Sequence, residues 1–175
     1  MMLASATVMK RIMIIGCGGS GKSRLATELG ERLSLHVHHL DRLFWQPGWQ
    51  ELDKGEWRAL QEEICKQPEW IIDGNYGGTM DVRLAAADTV IFLDLPTLTC
   101  LRGALQRYFR WRGRSRTDMT EGCPERLERS YLQWIWTYRR KRRPGILARL
   151  DKLSDDKQVV ILKSRRAVDE FMRGQ

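Results

Sequence analysis

Hydrophobic residues in this chain fall into short unbroken runs that alternate with stretches of helical periodicity. Lys10 and Arg11 precede Ile12-Met13-Ile14-Ile15, and a cluster of glycines follows. A continuous apolar run stopped by Gly predicts a strand buried on both faces. Ser23, Leu25, Ala26, Leu29 and Leu33 then recur near helical spacing, which predicts a first helix ending around Ser34. Leu35 to Leu40 predicts a second strand. Asp53 to Gln67 predicts a helix: Asp53 and Glu56 make a capping-box variant, and Trp57, Leu60 and Ile64 share a face.

Trp70-Ile71-Ile72-Asp73, stopped by Gly74, predicts a third strand, and Thr89 to Asp94, stopped by Pro96, a fourth. Leu98, Leu101, Leu105 and Tyr108 predict a helix running to about Phe109. Trp111 to Cys123 has no periodicity and reads as a mobile loop. Pro124 suits the first turn of a helix striped by Leu127, Tyr131, Trp134, Ile135 and Tyr138, broken at Pro144-Gly145. Val159 to Leu162 predicts a fifth strand, and Arg166 to Met172 a closing helix. Strands alternating with helices imply an α/β domain whose five-stranded parallel sheet is covered on both faces. Residues 9–175 are expected to form one domain. Met9, a second start just before the first strand, marks residues 1–8 as an extension.

At 175 residues the chain suits one domain, and its 42% hydrophobic and 30% charged content is globular. The longest run free of Asp, Glu, Lys and Arg is ten residues, Ile12–Gly21, against about 20 for a membrane span. The opening stretch has no basic n-region or cleavage pattern, so no secretory signal is expected and the cytoplasm is the expected compartment. Cys17, Cys65, Cys100 and Cys123 are widely spaced without a CxxC pair, so reduced thiols are expected. The net charge of +8 is uneven: residues 101–150 hold 14 Lys/Arg against 4 Asp/Glu, and the rest 16 against 18. Such a block attracts polyanions, whether nucleotide phosphates or nucleic acid.

Gly16-Cys17-Gly18-Gly19-Ser20-Gly21-Lys22-Ser23 satisfies G-x-x-x-x-G-K-[ST] between a predicted strand and a predicted helix. Glycines let backbone N–H groups converge on phosphate oxygens, and the helix N-terminus adds partial positive charge. Gly16, Gly18, Gly19, Ser20 and Gly21 are therefore expected to cradle ATP. Lys22 should reach the β/γ-phosphates, and Ser23 should ligate Mg²⁺.

Ile12–Ser23, with Asp73-Gly74 after the third strand, resembles the P-loop nucleoside and nucleoside-monophosphate kinases. Ile14–Ser23, His39-Leu40-Asp41, Trp45-Gln46-Pro47-Gly48-Trp49, Ile72–Thr79 and Glu121-Gly122-Cys123-Pro124 resemble one subgroup, the DNA-topology modulation (FlaR-like) proteins. The similarity runs from about Met9 to Phe171. It implies a P-loop NTPase three-layer sandwich with an Arg-rich lid over about residues 108–124. It also implies an ATP- and Mg²⁺-dependent phosphotransferase with a small-molecule acceptor.

Asp73 ends a strand that the resemblance places beside the loop strand, which makes it the expected partner of Ser23 in holding Mg²⁺. The alternative is a turn former before Gly74. Asp94 ends the next strand and reads as a helix-start or loop residue. Asp41 follows the second strand, where ligands collect in parallel sheets. A hydroxyl acceptor needs a carboxylate to take its proton, and Asp41 is the expected base; a capping role is the alternative. Arg102 to Arg116 contains six arginines. Arg107, at the offset from Asp94 that the resemblance implies for a catalytic arginine, and Arg112 and Arg116 in the lid are expected to stabilise the transferring phosphoryl group. A solvated basic loop is the bland alternative. Arg24 and Arg165 are included among the expected nucleotide contacts.

Arg139 to Arg143 reads as a solvated helix end favoured by the macrodipole, or as a nucleic-acid patch. Among His36, His38 and His39, alternation puts the first two on one face, but no third metal ligand is evident. The tryptophans are expected mostly at apolar positions, with Trp45 and Trp49 beside Asp41 free to stack on an acceptor ring. An ATP-regulated DNA-binding protein is the competing function, although no helix-turn-helix or zinc finger is present.

Overall fold

The computed structural model describes residues 9–175, so the expected extension, 1–8, lies outside the described residues. β1 (Arg11–Gly16) runs through the glycine loop into α1 (Lys22–Leu33). Ser34 ends that helix in the left-handed conformation, its N–H donating to the Gly30 carbonyl. β2 (Val37–His39) is shorter than expected, because Leu40 opens a one-turn helix, α2 (Leu40–Phe44). The strands β3 (Trp45–Gln46) and β4 (Gln50–Glu51) then form a small antiparallel hairpin. In α3 (Lys54–Cys65) the Asp53 carboxylate caps the N–H groups of Gly55 and Glu56, as the sequence indicates. β5 (Trp70–Asp73), α4 (Met80–Ala86), β6 (Thr89–Leu93) and α5 (Thr97–Trp111) follow. The chain closes with α6 (Arg129–Lys141), α7 (Arg143–Leu150), β7 (Gln158–Leu162) and α8 (Arg165–Arg173).

All five long strands pair in parallel, in the order β2-β5-β1-β6-β7. Alternation along β1 splits the core in two. Ile12 and Ile14 pack with Leu25, Leu29 and Met172, on the side of α1 and α8. Met13 and Ile15 pack with Trp57, Leu84, Cys100, Ile135 and Leu150, on the side of α3 to α7. Both faces of the sheet are therefore buried, which is why its strands read as unbroken apolar runs. Chain order reverses around β1, with β5 on one side and β6 on the other. In such sheets the crevice for a ligand opens at the carboxyl ends of those strands.

Several expectations fail for identifiable reasons. The helix expected from Pro124 starts at Arg129. Residues 112–128 stay irregular because Glu125 forms an isolated parallel bridge with Arg112 and donates its N–H to the Arg114 carbonyl at 2.9 Å. Pro144 does more than end a helix: it occupies the first turn of α7, where its missing N–H costs nothing. The short helices α2, α4 and α7 carry too few apolar positions to establish a period. Asp94 takes the loop role of its two alternatives, since it lies between β6 and α5, whose N-cap is Pro96. It is buried and accepts three hydrogen bonds from Arg143, at 2.8–2.9 Å. Trp57 and Trp70 are buried as expected, but Trp136 is 64% exposed. All four cysteines are free.

Candidate active site

A cleft of about 1270 Å³ opens over the glycine loop, lined on one wall by Gly18, Lys22, Ser23 and Asp73 and on the other by Arg107, Arg116 and Asp118. The loop wall is shaped by backbone contacts. Gly16 donates its N–H to Asn75 Oδ1 at 3.0 Å, and Asn75 Nδ2 returns a bond to the Gly16 carbonyl at 2.7 Å. Gly19 has φ +73° and lies against the backbone of α5 at Cys100, so a Cβ there would strike the Cys100 carbonyl. Lys22 Nζ donates to the Cys17 carbonyl at 3.0 Å. Arg165 donates to the carbonyls of Ser20, at 2.7 Å, and Gly19, at 3.3 Å. Three loop carbonyls are thus held by cationic side chains, which removes dipoles that would repel a phosphate. Arg165, expected as a nucleotide contact, lines the cleft, and its bonds shape the loop itself. Arg24, at the rim, is exposed and bonded to Glu28 at 2.6 Å.

Asp73 is buried at the end of β5, beside β1 as expected. Its Oδ2 lies 3.1 Å from His39 Nδ1, while Oδ1 is buried without a partner. The Ser23 hydroxyl and this free carboxylate oxygen are hard donors of the kind Mg²⁺ takes, so the residues present fit that ion. The histidines do not form a metal centre. His36 and His38 stack edge to face at 4.5 Å on one side of the strand, and His39 is taken up by Asp73. Among the described residues no three His, Cys, Asp or Glu side chains come together as a metal cage.

Asp41 borders the cleft from α2, and the Tyr76 hydroxyl donates to its Oδ1 at 2.8 Å. Burial, and then the Asp41 charge, push the Tyr76 phenol far above its ordinary pKa and keep it a donor. Tyr76 itself adopts positive φ, 31°. Arg83 holds that turn in place, donating to the carbonyls of Gly74, Asn75 and Tyr76 at 2.6–2.9 Å from a fully buried position. Burial pulls its pKa down to about 10, so it is still charged near neutrality. Trp45 and Trp49 meet edge to face beside Asp41, and the Arg126 guanidinium lies 4.2 Å over Trp49.

The lid wall is built from side chains. Glu125, 4% exposed, accepts a hydrogen bond from Arg107 Nε at 2.9 Å and forms an ion pair with Arg116, whose Nε lies 2.9 Å away. Arg107 also donates to the Tyr131 hydroxyl at 3.1 Å, and Arg116 Nη1 to Asp118 at 3.2 Å. Burial raises the cost of the Asp118 charge, but Arg116, the Ser23 hydroxyl and His39 together hold its carboxyl below the usual range. The segment read as a mobile loop is stitched to the β3–β4 hairpin. Thr120 Oγ1 donates to the carbonyls of Arg42 and Trp45 at 2.7 and 2.6 Å, and Gly48 N–H to Gly122 at 3.1 Å. The structure brings Lys22, Ser23, Asp41, Asp73, Arg107 and Arg116 around one cleft. It does not bring Arg112, which is exposed and lies outside the lining.

Sequence reasoning missed the supporting residues Asn75, Arg83, Asp118, Glu125 and Tyr131. Arg83 offered a signal, as a charge between Met80, Leu84 and Ala87 on an otherwise apolar stripe. Asn75, Asp118 and Glu125 are polar residues outside the regular elements and give none, and Tyr131 reads only as part of the apolar stripe of α6.

No family model and no curated protein matches this chain. Solved structures do. Shikimate kinase from Acinetobacter baumannii, solved in complex with shikimate, is 16% identical with TM-score 0.57, over 95% of this chain and 90% of that one. Shikimate kinase from Bacteroides thetaiotaomicron is 17% identical with TM-score 0.56, over 95% and 96%. A sugar kinase from Janibacter sp. HTCC2649 is 19% identical with TM-score 0.54, over 95% and 91%. At such identity the likeness establishes the fold: an α/β sandwich of the P-loop kinase type.

Proposed function

We propose that this chain transfers the γ-phosphoryl group of ATP to a hydroxyl of a small molecule. The observation that carries the reading is that Asp41 and the glycine loop border one cleft. Only Oδ1 of Asp41 is taken, by Tyr76, which leaves Oδ2 for an acceptor hydroxyl. As the acceptor oxygen bonds to phosphorus and the bond to the ADP oxygen breaks, Asp41 takes the hydroxyl proton. Lys22, once released from Cys17, and the arginines at 107 and 116 neutralise the charge on the transferring group. Mg²⁺, held by Ser23 and Asp73, would supply neutralisation between the phosphates. Trp45, Trp49 and Arg126 form the wall against which the acceptor packs. Shikimate kinases and a sugar kinase, which share the fold, act on hydroxyl-bearing molecules by their names, and this supports a hydroxyl acceptor.

The test is phosphate transfer from labelled ATP across a panel of hydroxylated acids, sugars, nucleosides and monophosphates. Transfer to a hydroxyl compound by the wild type, abolished in Lys22→Ala at unchanged melting temperature, is expected. Transfer confined to monophosphates would sink the hydroxyl acceptor and leave no work for Asp41 as a base.

The motifs shared with the DNA-topology modulation proteins support a second reading, ATP-regulated DNA binding, and one observation favours it. Arg139, Arg140, Lys141 and Arg142 end α6 exposed. On the kinase reading DNA binds weakly, without sequence preference, and dissociates steeply with salt. Tight binding at physiological salt, lost on charge reversal of that cluster, would favour the second reading. Cytoplasmic location and a single domain over residues 9–175 accompany the kinase reading as parts of the same proposal.

A further inference from the structure

Asp118 lies in the lid with its side chain 16% exposed and borders the same cleft as Ser23 and Asp73. The Ser23 hydroxyl and His39 both act on its carboxyl and help hold it below the usual range. Arg116 Nη1 donates to its Oδ2 at 3.2 Å. His39 in turn meets Asp73 at 3.1 Å. Ser23 therefore shares the cleft with carboxylates that come from opposite walls. One of them, Asp73, is 4% exposed and keeps Oδ1 buried with no partner. A buried carboxylate oxygen without a partner is costly, and a cation is the group that relieves the cost. The described residues build no closed cage of three acidic, His or Cys ligands. Mg²⁺ needs none, because it uses one or two carboxylates with retained waters and phosphate oxygens.

We propose that Asp118 is a residue of the divalent-cation site, so that the cation joins the lid to the glycine-loop wall. The nucleotide part of this proposal rests on the phosphotransferase reading. Asp118 is bonded to Arg116, and Arg116 shares Glu125 with Arg107. A lid held through Asp118 therefore also fixes both arginines over the cleft. The cation then acts as a closure signal, because it strengthens the hold of the lid wall on the loop wall through Asp118.

The experiment uses Mn²⁺ as the probe, followed by electron paramagnetic resonance, with and without a non-hydrolysable ATP analogue. Asp118→Asn keeps the shape of the side chain and should weaken Mn²⁺ binding in the ternary complex by about 10- to 100-fold. Affinity for the analogue in EDTA should stay at the wild-type value. Cleavage by protease around Trp111–Met119 should slow on adding Mn²⁺ and analogue to the wild type, and not in the variant. Wild-type Mn²⁺ affinity in Asp118→Asn, with the loss confined to Asp73→Asn, would overturn the proposal. Equal loss of the analogue with and without Mn²⁺ would also overturn it, since that marks a residue of the lid's own folding. A wild type that binds no analogue would instead defeat the phosphotransferase reading. Titration with Mn²⁺ alone then decides, and equal binding by wild type and Asp118→Asn counts against the site.

Discussion

The two walls of the cleft are held by different forces. The glycine-loop wall rests on parallel strands whose side chains are buried on both faces, and its functional groups are mostly backbone N–H and a helix terminus. The lid wall, residues 112–128, has almost no regular structure and stands on Glu125, Asp118 and the arginines they bind. A wall made of backbone is set by the fold and tolerates changes in charge. A wall made of ion pairs can open and close, because each contact is strong only in its correct geometry and is cheap to exchange with a ligand. For phosphoryl transfer this division is useful: one wall must be preorganised, and the other must admit substrates and then exclude water.

Substitutions can break this contrast. The largest expected effect is at the seam between the walls, where Asp41→Asn should lower kcat by about 10²–10⁴-fold with nucleotide affinity intact. Steady-state kinetics beside nucleotide titration would measure it, and full turnover in the variant would remove Asp41 from the chemistry. Next comes the buried support of the loop wall. Trp70, fully buried on β5, should cost about 3–5 kcal/mol of global stability as Trp70→Ala, read by urea unfolding. The lid should answer locally instead. Glu125→Gln weakens the carboxylate shared by two arginines, at about 1.5–3 kcal/mol, and should appear as faster proteolysis around Trp111–Met119. If global unfolding takes the whole loss and the cleavage rate is unchanged, the lid is no separate unit.

The smallest effect concerns pH and the edge of the sheet. Burial, and then neighbouring His36, lower the pKa of His38 from about 6.5 to about 4. The unfolded chain then binds the proton more tightly than the native one. Stability should therefore be full above about pH 6.5 and fall as pH drops toward 4. His38→Gln should flatten the melting temperature over that window. A profile unchanged by the substitution would assign the acid sensitivity to other groups.

The sheet, α1, α3, α5 and α8 were legible because their apolar residues repeat with a period long enough to count. The glycine loop was legible because its chemistry requires particular residues at fixed spacing, which include Lys22 and Ser23; Asp73 was picked out by the resemblance, as the end of the strand beside the loop strand. The lid was misread in its details. Arg107, Arg112 and Arg116 are alike in sequence, yet two border the cleft and the third lies outside its lining, since the partners of the first two, Glu125, Tyr131 and Asp118, are brought to them only by folding.

What the sequence determined by itself, then, is the set of contacts that depend on local spacing: apolar runs, helix periods, the Asp53 cap and the backbone cradle between β1 and α1. What tertiary structure alone decided is which charges meet. Asp94 is consumed by Arg143, 49 residues away, while Asp73 keeps an unpartnered oxygen and lines the same cleft as Ser23. Both are aspartates at the carboxyl ends of the two strands that flank β1, and each follows an apolar run in the chain. Coulomb and hydrogen-bond energies act over a few ångströms of space and not along the sequence, so the difference arises only when distant segments are packed together.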